Sequence, residues 1–326
     1  MTRNSIAIIG GGMAGLSCAT ELAKYGVQPV IFDKGRGPGG RMATRRAELG
    51  TELGTKLGQN TLHFDHGAQY FTARDPSFTA TVGKWLVRGA ASSWPAAGDN
   101  SYVGVPGMNG PLKLMARDLG VRWGERVDRI ERNDGLWALT LGEAVEHYAQ
   151  CVIAVPAEQA ANLLAGNAPV FAEQAVAVQS SPCWALMVSF DARLPIDSDV
   201  MRSTVGGIAW AARNSAKPGR GGPESWVIHG SAELSREILE QEASDASARL
   251  LREFFAQAEI EPIEPVHLAA HRWRFAKAGK SDGPPSLWDN AIKLGVAGDW
   301  LIEPRVEAAW LSGRALAEQI LESFQR

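Results

Sequence analysis

The chain has 326 residues, of which 45% are hydrophobic and 21% are charged, and its formal net charge is −3. This length exceeds what one hydrophobic core usually serves, so we expect a globular protein with two lobes. The weakly negative charge argues against a nucleic-acid-binding surface. No apolar run reaches the roughly 18 residues that a membrane span needs, so we expect no membrane partner. A strand is predicted almost at the N-terminus, so we expect no secretory signal.

The cysteines and histidines indicate neither a metal site nor a disulfide framework. Cys18, Cys151 and Cys183 lie far apart and match no metal-ligand spacing, and the six histidines form no ligand pattern. A sparse and odd set of cysteines is typical of a reducing compartment, so we expect a cytoplasmic protein without metal. A covalent bond from one of these thiols to a cofactor is the less favoured alternative.

The first forty residues have the pattern of a dinucleotide-binding βαβ unit. Residues 5–9 form a short apolar run typical of a buried parallel strand, and the motif Gly-Gly-Gly-Met-Ala-Gly follows at 10–15. Apolar residues then recur at helical spacing as far as residue 25, and a second apolar run at 30–32 ends in Asp33. A glycine motif alone is weak evidence, but here the strand, helix, second strand and terminal acid stand in the required order.

Each part of this motif has a physical role in binding a dinucleotide. Gly10 permits the tight turn, Gly12 lets a pyrophosphate approach the backbone, and Gly15 lets the helix pack closely on the strand. The N-terminus of the helix offers unpaired N–H groups and a positive dipole end to the phosphates. Asp33, which lies 18 residues after Gly15, can accept hydrogen bonds from ribose hydroxyls.

The residues after Asp33 separate FAD from NAD as the bound dinucleotide. Five residues follow Asp33 before Gly39-Gly40-Arg41, and this extension resembles the flavin amine oxidase superfamily, in which the Gly-Gly-Arg passes beside the FAD diphosphate. Near the other end of the chain, an apolar run at 294–297 closes on Gly298-Asp299. The resemblance implies that Asp299 meets the ribityl chain and the diphosphate. Two distant motifs for one cofactor therefore predict non-covalently bound FAD.

Longer strings resemble one family within that superfamily, the renalases, and its bacterial members most of all. The resemblance extends over nearly the whole chain and is carried by residues 39–44, 65–75, 107–108, 209–220, 271–273, 298–300 and 305–313. It implies an FAD oxidase that acts on dihydropyridine isomers of NAD(P) whose extra hydride is at C2 or C6. The hydride passes to flavin N5, NAD(P)⁺ is released, and O₂ is reduced to hydrogen peroxide.

No residue of the sequence is a convincing general base, and we assign no catalytic residue. This agrees with loss of hydride from a dihydropyridine, because that step releases no proton. A flavin amine oxidase, with aromatic walls around a neutral amine, remains an alternative. A non-catalytic FAD-binding protein is a second alternative, and the sequence leaves the oligomeric state open.

The resemblance and the motifs together give the predicted site residues. The main chain of Val127 is implied at the adenine, and the N–H of Val306 near flavin O2 at the start of the last helix. Three tryptophans on the second lobe and two cations of a Pro-Gly-Arg loop are candidates for binding substrate: Trp184, Trp210, Trp273, Arg213 and Lys217. The predicted cofactor-binding residues are Gly10, Gly12, Ala14, Gly15, Asp33, Lys34, Arg41, Met42, Gly67, Ala68, Gln69, Tyr70, Phe71, Thr72, Val127, Asp299 and Val306.

The predicted fold is α/β, with a Rossmann-type FAD-binding domain and a substrate domain built on a mixed or antiparallel sheet with covering helices. We expect the FAD-binding domain at 1–75, 105–165 and 286–326, and the substrate domain at 76–104 and 166–285. One long helix is expected at 235–258, and strands at 121–127 and 136–141 are expected in one β-meander. A repeat at 48–58 is interpreted as a surface insertion, with a lid edge as the alternative. Gly313 within the last helix predicts close approach to another backbone.

Overall fold

The computed structural model describes residues 5–50, 54–55, 58 and 60–325. The repeat expected to form a surface insertion lies partly outside these residues, so its role stays a prediction. Across the described ranges, no helix has both the length and the apolarity to cross a membrane.

Strands and helices alternate along the first part of the chain, and strands dominate its middle. The helices are α1 (Met13–Ala23), α2 (Pro76–Val87), α3 (Gly110–Ala116), α4 (Ala157–Leu164), α5 (Pro169–Ala177), α6 (Ala232–Glu237), α7 (Ala243–Ala258) and α8 (Val306–Ser323). The strands are β1 (Ile6–Ile9), β2 (Val30–Asp33), β3 (Arg45–Glu48), β4 (Thr61–Phe64), β5 (Phe71–Thr72), β6 (Ala91–Ser93), β7 (Ser101–Gly104), β8 (Gly120–Trp123), β9 (Arg129–Asn133), β10 (Leu136–Leu141), β11 (Ala144–Tyr148), β12 (Gln150–Ile153), β13 (Ser181–Ser189), β14 (Val200–Arg202), β15 (Ile208–Arg213), β16 (Ser225–Gly230), β17 (His267–Lys277), β18 (Ser286–Asp289) and β19 (Leu294–Ala297).

A six-stranded sheet with the order β18-β19-β12-β1-β2-β8 forms the centre of the dinucleotide-binding part. All its neighbouring strands are parallel except the β18–β19 pair. Every residue of β1, β12 and β19 is buried, as expected for apolar strands covered on both faces. The predicted Rossmann-type α/β fold is confirmed.

Helices α1 and α8 pack against each other on one face of this sheet. A Cβ atom on Gly313 would lie 2.0 Å from the carbonyl oxygen of Ala14, so only glycine permits this approach. The Ser17 hydroxyl donates to the carbonyl of Trp310 across the same contact, at 2.7 Å. The close approach predicted at Gly313 is therefore confirmed, and it fixes the two helices relative to each other.

The second large sheet has five antiparallel strands in the order β14-β15-β16-β13-β17. The helix expected at 235–258 is in fact two helices, α6 and α7. At the break, the carbonyl of Ile238 accepts a hydrogen bond from the Trp184 indole at 3.0 Å. The Leu239 carbonyl accepts from Arg272 in the same way, at 2.5 Å, so the two carbonyls are bound to side chains at the point where the helix stops.

The predicted β-meander exists, but it consists of β9, β10 and β11. The strand expected at 121–127 is shorter and pairs in parallel with β2, where Ile31 lies opposite Val121. Helix α3 precedes β8 and returns the chain to this edge of the parallel sheet. The two sheets draw on the stretches that the predicted domain division assigns to them, and the boundaries themselves stay a prediction.

Candidate functional site

A single cavity of about 2400 Å³ runs along the carboxyl ends of β1, β2 and β12 and reaches the five-stranded sheet at β15 and β17. Ligands of open α/β sheets bind at this end of the strands. Small-molecule sites usually have volumes of about 300–1,000 Å³. The cavity therefore has room for a dinucleotide cofactor together with a second molecule.

The glycine motif has the geometry of a phosphate cradle. Gly10 has a φ of 111°, and a Cβ atom there would lie 2.3 Å from the carbonyl oxygen of Ala154. A Cβ atom on Gly15 would lie 1.9 Å from the Gly10 carbonyl oxygen, which is the helix–strand contact that the motif predicts. A Cβ atom on Gly12 would meet no protein atom within 4 Å, and Gly12 and Ala14 both line the cavity. The N-terminus of α1 is therefore open to a phosphate at this point.

Asp33 holds the loops that form the adenosine end of the cavity. Its two carboxylate oxygens accept hydrogen bonds from the main-chain N–H groups of Gly11 and Gly35, both at 2.6 Å. The side chain still lines the cavity, where its remaining lone pairs can accept from ribose hydroxyls. Val127 lines the same end. Lys34 also lies here, and its ammonium donates to Gln159 at 2.8 Å.

Arg41 links the two distant cofactor motifs. Its guanidinium lies 2.6 Å from the carboxylate of Asp299, and both residues line the cavity. The Arg41 carbonyl accepts from the N–H of Ala68 at 2.8 Å, and a Cβ atom on Gly67 would lie 2.0 Å from that carbonyl oxygen. This contact directs the segment after Gly67 along the cavity, and Met42 and every residue from Gly67 to Thr72 line it.

Helix α8 begins at the same cavity, with Val306 in its wall. The carboxylate of Glu307 accepts from the N–H groups of Arg74 and Asp75, at 2.6 Å and 2.7 Å. This pair of hydrogen bonds fixes the end of the 67–72 segment to the first turn of α8. The positive dipole end of an 18-residue helix therefore lies at the cavity.

The far end of the cavity is aromatic. Tyr70 stacks on Trp210 with ring centroids 5.2 Å apart, and Trp273 stacks on His66 at 5.0 Å. The Trp273 indole donates to the main-chain carbonyl of His66 at 2.9 Å, which fixes the orientation of this wall. Trp210 and Trp273 both line the cavity, and their contact with substrate stays a prediction.

Three histidines of this end were not foreseen from the sequence. His66, His229 and His271 line the cavity but come from three distant segments, so no local pattern reveals them. Burial lowers the pKa of His66 to about 4 and that of His229 to about 3. Burial also lowers the pKa of His271. All three are neutral and weakly basic at neutral pH.

Three predicted substrate-binding residues lie away from the cavity, which corrects that expectation. Trp184 is on the face of β13 that α6 and α7 cover, where it packs in one buried cluster with Leu234 and Leu250. Arg213 is buried against Glu224, with a 3.0 Å ion pair, and its guanidinium lies 4.7 Å from the ring centroid of Trp226. Lys217 is fully buried and contacts Asp65. From the same loop as Lys217, only the neighbouring Gly219 and Arg220 reach the cavity.

The thiols are unsuited to a covalent bond with a cofactor. Cys183 lines the cavity, but burial raises its pKa to about 12. Burial likewise raises the pKa of Cys18 to about 12 and raises that of Cys151. The nucleophilic form of cysteine is the thiolate, so these groups are unreactive at neutral pH. Among the residues that the structure describes, no group of three His, Cys, Asp or Glu side chains could hold a metal ion.

Two family models match this chain. A model described as an NAD(P)-binding Rossmann-like domain matches residues 8–85. A second, described as a flavin containing amine oxidoreductase, matches residues 95–321. The cradle at Gly12, the acceptor at Asp33 and the Arg41–Asp299 pair fit a flavin dinucleotide, and the protein binds FAD non-covalently.

Solved structures share the fold over nearly their whole length. A protein provisionally named protoporphyrinogen oxidase, from Exiguobacterium sp. 255-15, has a TM-score of 0.74 at 11% identity, with all of both chains covered. Cyclohexylamine oxidase from Brevibacterium oxydans IH-35A has a TM-score of 0.64 at 14% identity, with 99% of both chains covered. A putrescine oxidase has a TM-score of 0.63 at 12% identity, covering 98% of this chain and 99% of its own. At these identities the likeness concerns the fold alone.

Proposed function

This chain belongs to the flavin-containing amine oxidoreductase family, and we propose that it is an FAD-dependent oxidase of 2- or 6-dihydropyridine isomers of NAD(P). The observation that carries this proposal is the character of the cavity wall beyond the cofactor residues. That wall combines flat aromatic rings with an excess of positive charge, and it presents weakly basic histidines.

Basic side chains outnumber acidic ones around the cavity, although the whole chain is slightly negative. Of the acidic lining residues, Asp33, Glu125 and Asp128 lie at the adenosine end, and Asp299 is paired with Arg41. Toward the other end, the cavity is lined by Arg45, Arg46, Lys113 and Lys277. Arg220, Arg272 and Arg274 line it as well, but Arg220 is paired with Asp65 and the other two with Glu240. Such a wall favours a substrate with phosphate groups over a cationic amine.

The aromatic rings suit a planar nicotinamide ring. The Tyr70–Trp210 pair and Trp273 form apolar surfaces of the cavity, against which a flat ring can pack with its face covered. Hydride transfer requires that the reacting carbon be held close to the hydride acceptor. Orientation of the ring is therefore the main contribution of the protein to this reaction.

The histidines of the wall also agree with hydride transfer. Loss of hydride turns a dihydropyridine into an aromatic cation and releases no proton, so no general base is needed. His66 and His229, with pKa values of about 4 and about 3, are poor bases at neutral pH. FAD, when bound, supplies the hydride acceptor and the later reaction with O₂. The protein's own residues bind the phosphates, orient the ring and exclude water.

An amine oxidase is the second candidate function. The family match and the fold shared with cyclohexylamine oxidase and putrescine oxidase favour it. The stacked Tyr70 and Trp210 rings are also compatible with a neutral amine held between aromatic walls. The two candidates differ in the charge of their substrates and in proton release, and both differences can be measured.

The deciding experiment is anaerobic bleaching of the flavin in the holoprotein, followed by stopped flow. We expect 2- or 6-dihydro isomers of NAD(P) to bleach the flavin rapidly and ordinary 4-dihydro NADH to do so poorly. The rate should be nearly constant between pH 5.5 and 7.5, because the hydride-transfer step releases no proton. Rapid bleaching by a panel of amines, with a rate that climbs with pH, would replace this proposal with the amine oxidase.

A charge reversal at the cavity mouth tests the phosphate contacts. Arg45 is an exposed residue of the wall, so Arg45→Glu should lower kcat/KM for a phosphate-bearing isomer tenfold or more, with FAD binding retained. Arg88 is also exposed but lies at the end of α2 and does not line the cavity, and Arg88→Glu serves as the matched control. Equal kcat/KM values for the two variants would show that Arg45 does not contact the substrate.

A further inference from the structure

A buried cluster of three charged side chains lies at the cavity wall, and of the three only Arg220 reaches the cavity itself. Asp65, Lys217 and Arg220 have side-chain exposures of 0%, 0% and 2%. The Lys217 ammonium lies 3.4 Å from Asp65 Oδ2, and the Arg220 guanidinium donates to the same oxygen through Nε at 3.1 Å. The other oxygen of Asp65 accepts from the Thr44 hydroxyl at 2.8 Å and from the N–H of Met108 at 2.9 Å.

This cluster carries an excess of one positive charge. One carboxylate faces two cations, and the neighbours of Lys217 on other elements are neutral. The Lys217 ammonium donates to the side-chain oxygen of Gln69 at 3.0 Å and lies 5.3 Å from the centroid of the Trp94 ring. His229 interacts electrostatically with Lys217 from β16, and its pKa of about 3 keeps it uncharged.

The Lys217 ammonium is separated from the cavity by one side chain. Gln69, the acceptor of the Lys217 hydrogen bond, lines the cavity within the 67–72 segment. The Gln69 amide lies 3.4 Å from the ring nitrogen of His229, which lines the cavity as well. Water is excluded from Lys217, so its field on the cavity is weakly screened.

We propose that Lys217 is a charge-tuning residue that raises the reduction potential of the bound flavin through the Gln69 wall. Two-electron reduction adds negative charge to the flavin ring, and a buried cation on the other side of the wall stabilises that charge. Lys217 does not touch the cavity, so its role is electrostatic and not catalytic. The inference rests on FAD at this site and is independent of the substrate proposed above.

The effect of Lys217 on the flavin potential should depend on pH, because only the protonated side chain carries the charge. Burial lowers the pKa of Lys217 to about 8, while Asp65 acts to raise it and Arg220 acts to lower it. The side chain is therefore largely charged at pH 7 and largely neutral at pH 9.5. A negative charge on the reduced flavin favours the protonated form, so reduction should be linked to proton uptake by Lys217.

The test is the midpoint potential of the FAD holoprotein at pH 7, measured by equilibration with redox dyes. Lys217→Gln retains an amide donor toward Asp65 and removes the charge, and Lys217→Met removes both. We expect each to disfavour reduction tenfold or more, which is about 30 mV for a two-electron couple. Lys217→Arg keeps the charge and should restore the wild-type value. A neutral variant that retains its FAD and has the wild-type potential would overturn the proposal.

The wild-type protein gives a second measurement that needs no variant to fold. Its midpoint potential should fall more steeply with pH near pH 8 to 9 than on either side, because one additional proton enters per two electrons. Such a proton steepens the dependence by about 30 mV per pH unit. A constant slope between pH 7 and 9.5 would contradict the proposal. Neither readout involves the dihydropyridine substrate, so a failure here leaves that proposal standing, and the reverse also holds.

Discussion

Two glycines of the phosphate cradle, Gly12 and Gly15, should respond differently to substitution by alanine: the first should lose FAD affinity and the second should lose stability. Gly12 has an extended backbone, with φ of −80° and ψ of −171°, and a Cβ atom there meets only open cavity. Gly12→Ala should therefore cost the FAD-free protein less than about 1 kcal/mol, the difference between glycine and alanine at a helix N-cap. The new methyl group occupies the space that the pyrophosphate needs.

The loss of binding in Gly12→Ala can be estimated from the hydrogen bonds at risk. One charge-assisted hydrogen bond contributes about 1.5–3 kcal/mol, so FAD affinity should fall roughly tenfold to a hundredfold. In Gly15→Ala the methyl carbon would lie 1.9 Å from the carbonyl oxygen of Gly10, a main-chain atom that cannot rotate away. Overpacking of this kind costs about 1–3 kcal/mol or more, and the higher helix propensity of alanine offsets about 1 kcal/mol of it.

The assay pairs a thermal melt of the apoprotein with a fluorescence titration by FAD. The Gly12→Ala apoprotein should melt within a few degrees of the wild type but bind FAD weakly. The Gly15→Ala apoprotein should melt at a clearly lower temperature than the wild type, in the absence of FAD. Wild-type FAD affinity in Gly12→Ala would mean that the pyrophosphate does not approach this glycine. An unchanged melting temperature in Gly15→Ala would refute the helix–strand contact.

Three further results are expected. Asp33→Ala should weaken FAD binding about a hundredfold or more, because two ribose hydrogen bonds to a charged acceptor are lost; isothermal titration checks this, and an unchanged affinity would place the ribose elsewhere. Acid denaturation should release all the flavin as free FAD, since burial raises the pKa of every cysteine thiol; flavin that precipitates with the chain would reopen Cys183, the cysteine in the cavity wall. The apoprotein should lose stability as the pH falls from 6.5 toward 4, because His66 and His229 bind protons more readily when the chain is unfolded. Replacing both histidines with asparagine should make the melting temperature depend less on pH in this range. An unaltered pH dependence would contradict the burial of these rings.

The parts of the fold that local sequence patterns encode were predictable. The glycine spacing at 10–15, the apolar strands on either side and Asp33 follow from short-range rules, and the structure places them as expected. Gly313 was predictable for a similar reason, because a glycine inside an amphipathic helix has few explanations other than a close contact. These features depend on residues near one another in the chain.

The errors concern features that depend on distant residues. Alternation along β13 shows which side chains share a face, but it does not show which face α6 and α7 cover, and so Trp184 was assigned to the wrong side. The loop with Arg213 and Lys217 reads as an exposed basic segment. Its partners, Asp65 and Glu224, are recognisable only once the chain has folded. The histidines of the cavity wall escaped prediction for the same reason.

The substrate of this protein therefore depends on the wall of the cavity and not on the architecture around it. The same fold, at 12–14% identity, also forms the structures named cyclohexylamine oxidase and putrescine oxidase. The glycine cradle, Asp33 and the first turn of α8 form the end of the cavity where we predict FAD. The side chains of β3, β15 and β17 contribute Arg45, Trp210 and Trp273, and they set charge and shape at the other end. A protein that selected cationic amines through this wall would have to place them beside arginines, at an electrostatic cost that a phosphate-bearing ring does not incur.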